Sequence, residues 1–153
     1  MRSVCCAGAL LLLGVLGFVG YKLVFLGETM PGSDGRTVIL LQPGERDLVL
    51  AEMRAFLQAV QGIATGVSAG DSAAVAGAAR SVGAAAAAEV PLTLMAKLPM
   101  GFKHLGLATH RAFDALALDA EQLGDPAQSQ AQLAALLGNC VGCHAAFRIE
   151  ARP

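Results

Sequence analysis

Cys140-Val141-Gly142-Cys143-His144 is the stretch whose residue types and spacing carry chemistry. C-x-x-C-H is the attachment signature of c-type haem. Two thiols three residues apart can each add to one of two neighbouring vinyl groups on a porphyrin edge. His144, next in the chain, then comes under the iron and offers an imidazole nitrogen as proximal ligand. Two thioethers hold such a group permanently. Two plainer uses of the cysteines compete. A thioredoxin-like redox pair opens a helix after a strand in a βαβ setting, and the sequence suggests no such strand here. Structural zinc takes four ligands, and Cys5 and Cys6, in an apolar N-terminal run, are poor partners for the pair. Haem attachment is the reading the context favours.

The chain around the motif is helical in character. Ala and Leu dominate, while the aromatics are six Phe, one Tyr and no Trp, a composition that suits close helix packing. Its 153 residues suggest one domain. A net charge of −1 gives no sign of nucleic-acid binding.

Residues 1–26 read as a signal peptide or a transmembrane anchor. Val4 to Tyr21 is a run of 18 residues without a charge, and Val24-Phe25-Leu26 extend it past Lys22. Gly17 is a candidate cleavage position, with Val15 two residues before it, but no A-x-A site is present. Arg2 favours a cytoplasmic N-terminus. Both readings export the rest of the chain. Residues 27–44, rich in Gly and Pro, read as a linker. Thr37-Val38-Ile39-Leu40-Leu41 inside it is an extended segment or a small strand, too short to build a sheet from.

From residue 45 to 153 the pattern is that of an all-α, antiparallel four-helix bundle. Val49, Met53, Phe56, Val60, Ile63 and Val67 are spaced 4, 3, 4, 3, 4, a helical seam. Asp71 caps a second helix through Ala73–Glu89, stopped by Pro91. Residues 92–100 form a connection. A third helix runs from Met100, after Pro99, to Gly124. Asp125 and Pro126 start the fourth. On that helix Leu133, Leu137, Cys140, His144 and Phe147 are spaced 4, 3, 4, 3, which predicts that the haem ligand lies on the inward seam.

Four helices with C-x-x-C-H in the last, continued as Cys140-x-x-Cys143-His144-x-x-Phe147-Arg148, resemble the cytochrome c′ family, the four-helix-bundle class II c-type cytochromes. The likeness covers about 45–148 and is specific only in the last residues. It implies one haem c attached at Cys140 and Cys143, His144 as fifth iron ligand, and Arg148 beside the proximal face near a propionate. It implies a bacterial periplasmic location, with a membrane anchor if residues 1–26 are retained, and often a homodimer. The apolar N-terminal segment and Leu98-Pro99-Met100-Gly101-Phe102-Lys103 depart from soluble members.

Function turns on the sixth iron position. Some family members carry Met from the first helix there and transfer electrons, and a thioether ligand raises the potential. Others leave it open and bind nitric oxide or carbon monoxide. Met53, on the first-helix seam, is the candidate distal ligand; its plainer role is core filling. His104, His110, Met95 and Met100 are the rivals. The expectation is a non-enzymatic electron carrier with His144 and Met53 on iron, serving a redox partner protein. The alternative is a five-coordinate, gas-binding site. Lys97, Lys103 and Arg111 with the two histidines form a basic stretch that would steer an acidic partner.

Overall fold

Capping residues set where the helices begin. The computed structural model describes residues 2–152, with side chains from residue 8 onward, residue 9 excepted. The side chains of Arg2, Cys5 and Cys6 therefore lie outside the described residues. The element order is α1 (Arg2–Tyr21), a wide π-helical turn (Lys22–Leu26), β1 (Thr29–Pro31), β2 (Thr37–Leu41), α2 (Pro43–Ala69), α3 (Ser72–Arg80), α4 (Ala84–Ala87), α5 (Leu92–Lys97), α6 (Met100–Leu123), α7 (Pro126–Ala146) and β3 (Phe147–Ala151).

The long helices start and stop close to where their residues direct. Pro43 opens α2, and the Gln42 N–H donates to Glu45 Oε2 at 2.9 Å. Asp71 accepts from the Ala74 N–H at 2.9 Å, and Asp125 accepts from Ala127 N–H at 2.8 Å, so each satisfies a first-turn donor. Gly70 and Gly124 close α2 and α6 in the left-handed conformation, at φ 66° and 62°.

Helix α2 packs on α3 and α7, and α6 packs on the same two helices, so the four contacts close a cycle. Phe56, Ile63, Val75, Ala79, Phe113, Leu116, Leu133 and Leu136 fill the space between them. The Phe56 and Phe113 rings stack at 5.5 Å. Small residues bring α2 and α3 close. A Cβ at Gly62 would come 2.9 Å from Ala78 Cβ, and one at Gly66 2.8 Å from Val75 Cγ2.

The second predicted helix does not run to Glu89; it stops at Arg80. Side chains of α6 take the backbone groups that would continue it. The Val82 carbonyl accepts from His110 Nδ1–H at 2.8 Å, and the Ala84 N–H donates to Asp114 Oδ2 at 2.9 Å. Gly83 permits this approach, since a Cβ there would lie 2.0 Å from Asp114 Oδ1. The expected 92–100 connection likewise contains a short helix, α5.

Within the expected linker 27–44, residues 29–41 form a hairpin, and Pro43 and Gly44 already belong to α2. β1 pairs antiparallel with β2, and β2 pairs parallel with β3, with Val38 opposite Arg148. Val38, Ile39 and Leu41 are fully buried. Ile39 and Leu41 join Val49, Leu94, Leu98, Phe102, Phe147 and Ile149 in a second core. The small sheet thus adds a β element to a mainly helical chain.

The apolar side chains Leu10–Leu13, Val15, Leu16 and Phe18, and those from Leu23 to Leu26, are exposed. Among the described residues no helix is long and apolar enough to cross a membrane.

Candidate haem site

The cysteine motif occupies the last two turns of α7. Leu133, Leu136 and Ser129 are the buried residues of this helix, while Leu137 is 38 % exposed. The inward seam therefore runs 129, 133, 136, 140, 143, and the expected seam through Leu137 and His144 is out of phase with it. Cys140 and Cys143 are both half-buried, and Cys140 packs on the main core. His144 is exposed rather than inward. The reason is local: α7 ends at Ala146, and the chain turns into β3, which packs against the end of α7.

What His144 faces is a cleft of 200 Å³. Cys143 and His144 form one wall. Leu50 and Met53 of α2 contribute a second, Phe102 of α6 a third, and Phe147, Arg148 and Ile149 of β3 a fourth. Met53 is half-buried and also touches the main core. The chain thus brings Met53, Cys143, His144 and Arg148 together from segments about ninety residues apart. None of His104, His110, Met95 and Met100 lines this cleft.

Two arginines edge the cleft, each paired with a carboxylate. Arg36, from the β1–β2 hairpin, lies in its lining. Its Nε donates to Asp34 Oδ2 at 2.8 Å, and Nη1 donates to the His144 carbonyl at 3.4 Å. Arg148 reaches Asp34 at 3.5 Å and Glu150 at 2.8 Å. Its Nε is buried without a hydrogen-bond partner among the described residues. The hydrogen bonds from Arg36, with the nearby Arg148 charge, hold Asp34 below the usual carboxylate range. A buried orphan donor of a guanidinium is a costly group unless something accepts from it.

Burial pushes both thiols up, and for Cys143 the neighbouring Cys140 adds to the shift. Reactive thiols sit where positive potential lowers their pKa, as at helix N-termini. These sit at a helix C-terminus, after the helix α6 and not after a strand, where the dipole disfavours a thiolate. The arrangement suits covalent attachment better than thiol exchange.

The donor set fits haem c. The Cys143 thiol, an accessible imidazole, a facing thioether and two guanidinium groups for carboxylates border one cleft, while the Cys140 thiol, one turn back on α7, packs on the main core. That cleft is smaller than a porphyrin and open to solvent on the side of His144. Arg36 escapes a reading of the sequence, because nothing in a Gly- and Pro-rich segment announces a hairpin that folds onto α7. Its signal is indirect: the Phe147-Arg148-Ile149-Glu150 alternation and the Thr37–Leu41 run are the two halves of a strand pair.

His110 belongs elsewhere. It is 4 % exposed and held from both sides, by the Val82 carbonyl and by Glu52 Oε1 at 3.2 Å. Burial works to lower its pKa, but the bonds to Glu52 and Val82 outweigh it, and the net shift is upward. The basic stretch is also partly spent. Lys97 pairs with Glu45 at 2.6 Å, and Lys103 Nζ donates to the Val24 carbonyl at 3.1 Å.

Comparison of the chain with protein-family models, with curated proteins and with solved structures finds no match.

Proposed function

We propose that this chain is a c-type cytochrome built on an antiparallel four-helix bundle of α2, α3, α6 and α7, similar to the cytochrome c′ family. One haem c is attached through Cys140 and Cys143. His144 is the proximal ligand and Met53 the distal one. The observation that carries the reading is the convergence of Met53, Cys143, His144 and Arg148 on one cleft, from positions a motif alone does not link. Haem c, when bound, supplies an iron that alternates between ferric and ferrous states. The chain's own part is positional. The cysteines fix the group, His144 and Met53 supply nitrogen and sulfur donors, and Phe102 and Phe147, edge to face at 5.7 Å, keep water from one side. Arg36 and Arg148 offer donors to propionate carboxylates. No substrate bond is made or broken.

The exposed apolar side chains from Leu10 to Leu26 support a segment that exports the domain, as signal or as anchor. The domain then works on the periplasmic side of a bacterial membrane with a redox partner protein, and the likeness to the cytochrome c′ family suggests a homodimer.

A gas-binding reading has one observation behind it: Met53 also packs on the main core, which is what a space-filling Met does. Absorption spectra of the matured protein separate the two. A six-coordinate carrier gives a low-spin spectrum indifferent to carbon monoxide, and Met53→Leu turns it high-spin. A high-spin spectrum in the unaltered protein, shifted by carbon monoxide and unchanged by Met53→Leu, selects the open site.

A further inference from the structure

A second cavity, of 370 Å³, lies between α2, α6 and the segment carrying α4 and α5. It shares only Phe102 with the haem cleft. Its walls are mostly apolar, with Leu48, Val49, Val90, Leu94 and Leu107 among them. The size falls in the range of small-molecule pockets. A dry cavity of about 150 Å³ takes up one benzene, so this one has room for two fused rings.

One polar device serves it. His110 is buried and fixed by the Val82 carbonyl and by Glu52 Oε1. The imidazole occupies Oε1 of Glu52, which leaves Oε2 as an acceptor with no hydrogen bond from a described residue. His110 and Glu52 face each other across the wall, and the other charged residues of the lining, Glu89 and Lys103, are of opposite sign. Of the remaining polar residues in the lining, Ser81 and Glu89 are exposed and Lys103 is turned to the Val24 carbonyl. An apolar cavity with one acceptor selects a ligand that is apolar, uncharged and able to donate once.

We propose that this cavity binds an uncharged aromatic molecule of one or two rings whose hydroxyl donates to Glu52. The inference does not depend on the haem reading, and the two fail separately. The probe is 1-naphthol, with naphthalene as the version lacking the donor, in equilibrium dialysis against the full chain. Gly106 gives a clean variant. It lines the cavity, and a Cβ built there meets nothing within 4 Å. Gly106→Leu therefore fills the space without forcing the backbone, and unchanged circular dichroism checks that the fold is kept. The expected result is saturable one-to-one binding of 1-naphthol, weakened tenfold or more, in order of magnitude, by Gly106→Leu. Glu52→Gln weakens 1-naphthol by roughly tenfold and leaves naphthalene unchanged. Absence of saturable binding, or equal binding by folded Gly106→Leu, overturns the site. Equal affinity for naphthalene and 1-naphthol overturns the role of Glu52. Haem staining of the same samples reports on the other reading and is expected to be the same in all variants.

Discussion

Cys143 and His144 are neighbours in the chain with opposite surroundings, one half-buried and one exposed. The motif names both residues as candidates, but its phase on the helix depends on where the helix ends. That end is set by β3, which a period of 3.6 read through Phe147 misses. If haem is attached as proposed, His144→Ala is expected to keep the covalent link and lose the native spectrum, since thioethers would hold the group while the imidazole would tune it. An unchanged spectrum would mean another proximal ligand. Arg148 contributes differently. Its Nε is a buried donor without a partner among the described residues, and Arg148→Leu removes both the donor and the charge beside the cleft. The expected outcome is a lower reduction potential, because a cation near the iron favours the reduced state. Equal potentials in a redox titration would leave Arg148 a purely structural residue.

The elements were legible where local chemistry decides them. Asp71 and Asp125 both cap as their positions suggest, and Pro99, Gly70 and Gly124 mark true ends. Asp71→Ala is expected to cost about 1 kcal/mol in denaturant unfolding; no loss would mean that α3 is held by packing alone. The break after Arg80 was not legible, because its cause lies in α6: His110 and Asp114 compete for backbone that an alanine-rich stretch would otherwise use for helix. The Glu45–Lys97 pair joins the start of α2 to α5. The hydrogen bond from Lys97, then that from the Gln42 N–H, lower the Glu45 pKa from its usual 4.5. A carboxyl depressed in the folded state stabilises it above the unfolded pKa. That stability goes as pH falls from near 4.5 through the lower folded value. Glu45→Gln should flatten the stability profile in that acid window, and an identical profile would show the pair to be inert.

At the scale of the molecule, the sheet changes what residues 27–44 are. Their glycines and prolines suggest a tether, and composition cannot reveal that Thr37–Leu41 finds its partner more than a hundred residues later, in β3. Ile39 is fully buried beneath that sheet, so Ile39→Ala is expected to cost about 2–5 kcal/mol in urea unfolding. A tether would lose almost nothing. The same sheet brings Arg36 to the cleft and ends α7 two residues after His144, so the domain that holds the motif includes the hairpin. The central claim is covalent haem at Cys140 and Cys143, and its most direct test is haem staining on a denaturing gel. The protein and its Cys140→Ser, Cys143→Ser double variant are both produced in a host with haem-attachment machinery. A stained band at the size of the chain, absent from the double variant, is the predicted result. No stain in the unaltered protein, or stain that survives loss of both thiols, would contradict it.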